Sequence, residues 1–320
     1  MAEMTVPVNE ISRGTVHDGP GIRTTVFTKG CALNCRWCQN PESISLKQEV
    51  WYEAKKCIGC FECVKSCPNG VLSFGEAGVN INREKCAGCG GCAEACPAKA
   101  ITTTGNVWTA DELVREVMKD KTYYDEFKGG VTVSGGEPLL HADFITGFFR
   151  ELKNSGVHTA LDTCGYAPEE TLMKIIACAD AVLYDIKLID SAKHKELTGR
   201  ENRLILGNLK SIADYIAATG KQKISLWIRT PLIPGETDTR ENITQIADFI
   251  ARNILDYIER WELCAFNSAC SVKYVKMQKP WHYEKTEAMK QSEIEKIKDM
   301  ALSRGIPGDK LIITGIIKQN

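Results

Sequence analysis

One twelve-residue pattern occurs twice in this chain, as CIGCFECVKSCP at 57–68 and CAGCGGCAEACP at 86–97. Each copy is C-x2-C-x2-C-x3-C-P. With CALNCRWC at 31–38 they place eleven of the fifteen cysteines between Cys31 and Cys96. A secreted miniprotein would use such density for disulfides. A chain of 320 residues can bury a sufficient core without staples, so the spacing points to metal-bound thiolates instead.

The paired runs have the spacing of two-cluster bacterial ferredoxins, in which three thiolates of a run wrap one 4Fe–4S cube and the fourth reaches the other. This assigns Cys57, Cys60, Cys63 and Cys96 to one cube, and Cys86, Cys89, Cys92 and Cys67 to a second. Gly59, Gly88, Gly90 and Gly91 let backbone amides approach the sulfides. A pair of zinc knuckles is the rival, but zinc sites rarely combine four cysteines at this spacing with a terminal proline. The third motif differs in kind. Cys31, Cys35 and Cys38 form C-x3-C-x2-C with no fourth cysteine nearby. A cube held by three thiolates has one iron without a protein ligand, and a chelating molecule must complete it. Trp37, beside the last of these cysteines, can lie against a flat ligand such as a purine.

The rest of the chain alternates strand and helix patterns. Strands are predicted at 24–30, 130–135, 157–162, 181–187, 223–230 and 260–267, and helices at 109–120, 141–153, from Pro168 to Ala179, 206–218, 242–253 and 285–303. Thr109 and Glu112 have the spacing of a capping box. Such alternation implies right-handed crossovers and a parallel sheet. Six units are too few for a full eight-stranded barrel, so the expected fold is α/β, a partial (β/α)6 barrel or open curved sheet. The barrel would comprise 12–45 and 105–316, and an inserted ferredoxin-like domain 46–104, with halves at about 48–77 and 78–104. Sites in parallel barrels sit at the carboxyl ends of the strands. Those ends carry Ser134-Gly135-Gly136-Glu137, Asp162-Thr163, Asp185-Ile186-Lys187, Arg229 and Asn267.

Composition narrows the partners. Lys+Arg 40 against Asp+Glu 41 gives a net charge of -1, which supplies no general field for nucleic acid or an anionic membrane. The opening MAEMTVPVNEISRG has no basic and apolar secretory pattern, and no apolar run approaches the roughly 20 residues of a spanning helix. The expected location is the cytoplasm, where thiols stay reduced.

CALNCRWC resembles the signature of the radical S-adenosylmethionine (SAM) superfamily. VHDGPGIRTTVF (16–27) and SGGEP (134–138) resemble the glycyl-radical-enzyme activating enzymes, the group that contains pyruvate formate-lyase activating enzyme. The two-cluster insert resembles the larger branch of that group, and the likeness runs from about Ser12 to Gly315. It implies a radical SAM barrel with three 4Fe–4S clusters. The cluster at Cys31, Cys35 and Cys38 would take an electron from a donor such as flavodoxin or ferredoxin and cleave SAM reductively. The resulting 5′-deoxyadenosyl radical would abstract a glycine Cα hydrogen from a partner lyase, dehydratase or decarboxylase.

The resemblance also implies roles. The amine and carboxylate of SAM fill the vacant iron site. Gly135 and Gly136 let backbone groups approach the amine while Glu137 orients the turn, and Lys187 faces the carboxylate. Asp162, Thr163 and Asp185 gather at the methionine end, where some relatives hold a monovalent cation. Trp37, Gln39, Arg229 and Asn267 are further SAM contacts, and Asp18 belongs near the radical site. Family members commonly carry a histidine after a Pro-aromatic pair where this chain reads LCAFNSAC, so Asn267 departs from the pattern. Cys164 is a candidate pocket residue, Cys178 reads as core, and His141, His158, His194 and His282 read as surface or turn positions.

Two rival readings account for less of the sequence. A radical SAM enzyme acting directly on a peptide or small substrate would commonly carry extra cysteines near its C-terminus, and only Cys264 and Cys270 lie beyond residue 180. An electron-transfer subunit would leave CALNCRWC, SGGEP and the barrel without a use.

Overall fold

The structure, a computed structural model, describes residues 4–220 and 224–319. The chain opens with β1 (Thr5–Thr15) and β2 (Arg23–Thr28), an antiparallel pair. The turn between them carries Gly21 at φ +72, where a Cβ would meet the Lys128 carbonyl oxygen at 2.3 Å; only glycine fits.

The segment that follows builds β3 (Glu49–Tyr52), β4 (Leu72–Gly75), β5 (Gly78–Ile81) and β6 (Ile101–Thr104). β3 pairs antiparallel with β6, and β4 with β5 in a hairpin. The helices Glu62–Lys65 and Gly91–Glu94 begin after Phe61 and Gly90, both in the left-handed region. This segment has its own apolar cluster, in which Val50, Tyr52, Val79 and Ile101 pack with Cys63, Cys92 and Cys96. Cysteines therefore supply much of what little core it has.

β7 (Asn106–Thr109) returns to β1. After it come β8 (Gly130–Gly135), β9 (His158–Thr163), β10 (Ala181–Asp185), β11 (Ser225–Leu232), β12 (Arg260–Ala265) and β13 (Leu311–Thr314). The main sheet runs β13-β12-β11-β10-β9-β8-β2-β1-β7, parallel from β2 through β13. The near-continuous burial of strands such as β8 follows from helices covering the sheet. Helix Ala142–Asn154 buries Phe144, Ile145, Phe148, Phe149 and Leu152, the stripe expected from its periodicity. Helix Ala110–Val117 starts at Thr109, whose hydroxyl and the Glu112 carboxylate complete a capping box.

Several boundaries differ from the sequence reading. The six expected parallel strands are joined by a seventh, β13, only four residues long. β1 crosses the expected barrel boundary at residue 12, and with β7 it adds an antiparallel edge. Pro168 is the residue before helix Glu169–Ile176 rather than its first turn. The last long helix is Gln291–Leu302, because Trp281, Tyr283 and Met289 are drawn into the core ahead of it. His194 is no surface residue: it is 1% exposed, with Nδ1 against the Arg200 carbonyl. Lys223, placed in a strand by its sequence, lies outside the described residues. Among the described residues no helix is long and apolar enough to cross a membrane.

Candidate active site

The carboxyl ends of the parallel strands open on one cavity of about 650 Å³. The loop leaving β2 and the residues just after β13 both line it, so the open sheet curves far enough to bring its first and last parallel strands to one space. Cys31, Cys35, Cys38, Trp37 and Gln39 line one side. Gly135, Gly136, Asp162 and Thr163 come from the ends of β8 and β9, and Asp185, Lys187, Arg229 and Asn267 from later strands. Two expected residues are not among the lining. Glu137 is buried behind it. The Asp18 carboxylate is engaged by the Thr25 hydroxyl at 2.8 Å, and its neighbour His17 reaches the cavity instead.

The cysteine loop is held by backbone contacts on several sides. The amides of Asn34 and Arg36 donate to the Thr198 and Leu197 carbonyls at 2.8 and 3.0 Å. The Arg200 guanidinium donates to the Ala32 carbonyl. Opposite, the Tyr274 hydroxyl donates to the Cys38 carbonyl at 2.9 Å, and the Trp281 indole to the Arg36 carbonyl at 3.1 Å. Trp37 is 4% exposed and joins the barrel core while one part of it faces the cavity. Gln39 donates to the carbonyl of Asn267, which links this loop to the end of β12.

Burial sets the charge states of the loop. It pushes the Cys31 thiol up to about 12 and raises Cys35 and Cys38 as well. Metal binding must displace these protons; three sulfurs lining one cavity are a soft donor set of the kind that holds an iron–sulfur cluster.

The glycines at 135 and 136 meet a steric demand within the fold itself. A Cβ on Gly136 would meet the Gly30 carbonyl oxygen at 2.1 Å and that of Ser43 at 2.7 Å. The amides of Gly136 and Glu137 donate to the Thr28 and Gly30 carbonyls. The turn is thus clamped to the cysteine loop, and the constraint is backbone against backbone. Glu137 accepts from the Thr163 hydroxyl, the Cys164 amide and thiol, and the Leu139 amide, which ties β8 to β9. Burial raises its carboxyl even against these four donors.

The polar lining is arranged in pairs. Asp162 accepts from Ser134 at 2.7 Å and from Arg229 at 3.3 Å. Burial pushes its carboxyl up to about 6, with Arg229 pulling the other way. Arg229 also faces Glu262 at 3.8 Å. Lys187 is paired with Asp185; burial disfavours its charge, yet the Asp185 carboxylate holds it protonated. Glu262, the pairing of Ser134 with Asp162 and the Glu137–Cys164 contact were not found from sequence. Their partners lie tens of residues away, and no local motif marks them.

In the inserted segment the eight cysteines surround two small voids. One is lined by Cys57, Cys60, Cys63 and Cys96, the other by Cys67, Cys86, Cys89 and Cys92. Among the described residues no three His, Cys, Asp or Glu side chains close to the spacing of a single bound ion.

The curved parallel sheet turns the three cysteines of its first loop toward the strand-end cavity. A radical SAM methyltransferase from Sphaerobacter thermophilus has this fold, with a TM-score of 0.55 at 14% identity over 97% of this chain and 77% of that one. Residues 17–206 match the 4Fe-4S single cluster domain family. Similar proteins identify the group more narrowly. The trans-4-hydroxy-L-proline dehydratase activating enzyme of Clostridioides difficile is 39% identical over 91% of this chain and 94% of its own length. The benzylsuccinate synthase activating enzyme of Thauera aromatica is 35% identical over 98% and 94%. The choline trimethylamine-lyase activating enzyme of Oleidesulfovibrio alaskensis is 34% identical over 93% and 95%. The chain belongs to the glycyl-radical enzyme activating enzymes.

Proposed function

We propose that Cys31, Cys35 and Cys38 hold a 4Fe–4S cluster with one iron open to the amine and carboxylate of SAM, and that the chain installs a glycyl radical on a partner enzyme. Bound together, cluster and SAM supply the one-electron cleavage of the sulfonium that yields the 5′-deoxyadenosyl radical. The observation that carries this reading is the convergence of three cysteines and the polar ends of the parallel strands on one cavity.

The chain's own residues bind and orient. Lys187 and Arg229 offer cations to the SAM carboxylate and ribose; Asp162 and Asp185 offer anions to its amine and sulfonium, or to a monovalent cation beside them. The amides of Gly136 and Glu137 are already used within the fold, so the contacts left to these two residues for the SAM amine are carbonyl oxygens. Trp37 and Gln39 stand on the cysteine side of the same cavity, and Asn267 extends it at the end of β12. Asp18, one residue from the cavity-lining His17, organises the entry turn through Thr25.

Residues 46–104 are read as a ferredoxin-like domain carrying two further clusters on the cysteine sets that ring its two voids. A small one-electron donor such as flavodoxin or ferredoxin supplies the electron. The relatives' names span a dehydratase, an amine-lyase and a synthase at 34–39% identity. What they share is activation of a glycyl radical partner, and that is the function assigned to this chain.

The test is anaerobic reconstitution of the full chain followed by reduction with dithionite and addition of SAM. The expected results are about twelve irons per chain, a SAM-dependent change in the reduced-cluster spectrum, and formation of 5′-deoxyadenosine. A cluster spectrum indifferent to SAM overturns the reading.

A further inference from the structure

The segment after β12 has a use that the active-site reading does not supply. Its short helix Ser271–Lys276 stands between the cysteine loop and the inserted segment. Toward the loop, Tyr274 and Trp281 stack at 5.0 Å and donate to the carbonyls of Cys38 and Arg36. Lys273 pairs at 2.7 Å with Glu42, which is fully buried just beyond the loop. Toward the insert, the Gln278 amide donates to the Val79 carbonyl at 2.6 Å. Arg83 reaches from the insert to the Lys276 carbonyl while holding that of Val50 at 2.9 Å. The Lys276 ammonium lies 4.8 Å from the centre of the Trp51 ring. Val79 and Val50 each line one of the two cysteine-ringed voids.

We propose that residues 271–281 are a positioning strap through which the insert holds the cysteine loop, with Tyr274 as the residue that fixes the Cys38 backbone. The proposal rests on the cluster reading above. The insert's core is partly made of cysteines, so metal binding there supplies order to β3 and β5. Arg83 and Gln278 grip those strands, and the strap passes the restraint to the Cys38 carbonyl. The insert thus acts on SAM binding mechanically, whatever electrons it also carries.

The test uses the reconstituted full chain and three variants, none of which alters a cysteine or a cavity-lining side chain. Tyr274→Phe keeps the ring stack and removes the donor. Gln278→Ala and Arg83→Ala cut the grip on the insert. Each protein is titrated with SAM while the reduced-cluster electron paramagnetic resonance signal is followed. Iron content and hydrogen exchange of residues 31–38 are measured alongside. The expected result is a SAM midpoint raised about fivefold by Tyr274→Phe, the scale of one lost hydrogen bond. A shift in the same direction is expected in Gln278→Ala at full iron content, with faster exchange in 31–38 in both. Gln278 is exposed, so its variant carries the test even where Arg83→Ala does not load. Unchanged midpoint and exchange in fully loaded Gln278→Ala overturn the strap, as does a slower cluster reduction at unchanged SAM midpoint, which marks an electron path alone. If the unaltered protein itself ignores SAM, the active-site reading has failed instead.

Discussion

The carboxylate of Glu137, at the end of β8, accepts the hydroxyl hydrogen of Thr163, at the end of β9, across 2.6 Å in a wholly buried position. It also accepts from the Cys164 amide and thiol. Only an ionised carboxylate can receive all of these donors at once. Glu137→Gln places an amide NH2 against donors on one side, and leaving a buried donor unpaired costs about 1–3 kcal/mol. The expected outcome is a thermal midpoint lowered by several degrees and a weaker SAM response, with the Cys31–Cys38 cluster still formed. Differential scanning calorimetry and SAM titration check it. An unchanged midpoint in the variant argues that the two strand ends are held together by other contacts.

Asp162 gives the site a pH dependence whose sign follows from its environment. Burial raises its folded-state carboxyl to about 6 from the ordinary value of 3.8. The fold therefore binds a proton that the unfolded chain has already released, and this contribution to stability is lost as pH rises from 3.8 to about 6. Above that range the cavity holds one more negative charge, which favours a sulfonium. SAM affinity is expected to increase as pH passes about 6, and Asp162→Asn to flatten that increase. Affinity measured from pH 5 to pH 8 decides it; a parallel slope in the variant assigns the dependence to another group.

The strand ends were legible because two regularities agree. Strand–helix alternation dictates a parallel sheet, and a parallel sheet dictates which end carries the chemistry. That is how Asp162, Asp185, Lys187 and Arg229 could be placed together with no contact known. The edges were less visible. β1 carries Pro7 and the polar run Asn9–Glu10, and β13 is four residues long, so neither makes a clear period. Gly135 and Gly136 were expected to let backbone groups approach the SAM amine; the fold places its own steric demand on Gly136, from Gly30 and Ser43. The links of Tyr274 and Trp281 to the cysteine loop were not legible, because both act on residues more than two hundred positions earlier.

That steric demand makes Gly136→Ala informative. The added methyl meets the Gly30 carbonyl oxygen at 2.1 Å, and neither backbone can yield without moving the other. Overpacking of this kind costs about 1–3 kcal/mol. The strain falls on the peptide between Gly30 and Cys31, so the variant is expected to lose iron from the N-terminal cluster while the insert keeps its own. Iron analysis with Mössbauer spectroscopy reads the difference. Full loading of all sites in the variant shows that the turn and the cysteine loop are not clamped as described.

Two cysteine substitutions separate the roles of the loop and the insert. Cys35 lines the strand-end cavity, whereas Cys89 is exposed and lines one of the insert voids. Cys35→Ser and Cys89→Ser should each lose about four of about twelve irons, one 4Fe–4S unit. Only Cys35→Ser is expected to abolish formation of 5′-deoxyadenosine, because it alone removes a ligand of the cluster proposed to meet SAM. Cys89→Ser is expected to lower thermal stability, since its void lies beside Val50 in the insert's small core, and metal binding there is folding energy. It should retain SAM cleavage at a reduced rate. Full cleavage activity at native stability in Cys89→Ser means that this void contributes neither order nor electrons. Abolished cleavage with the N-terminal signal intact means that the insert is obligatory for electron entry.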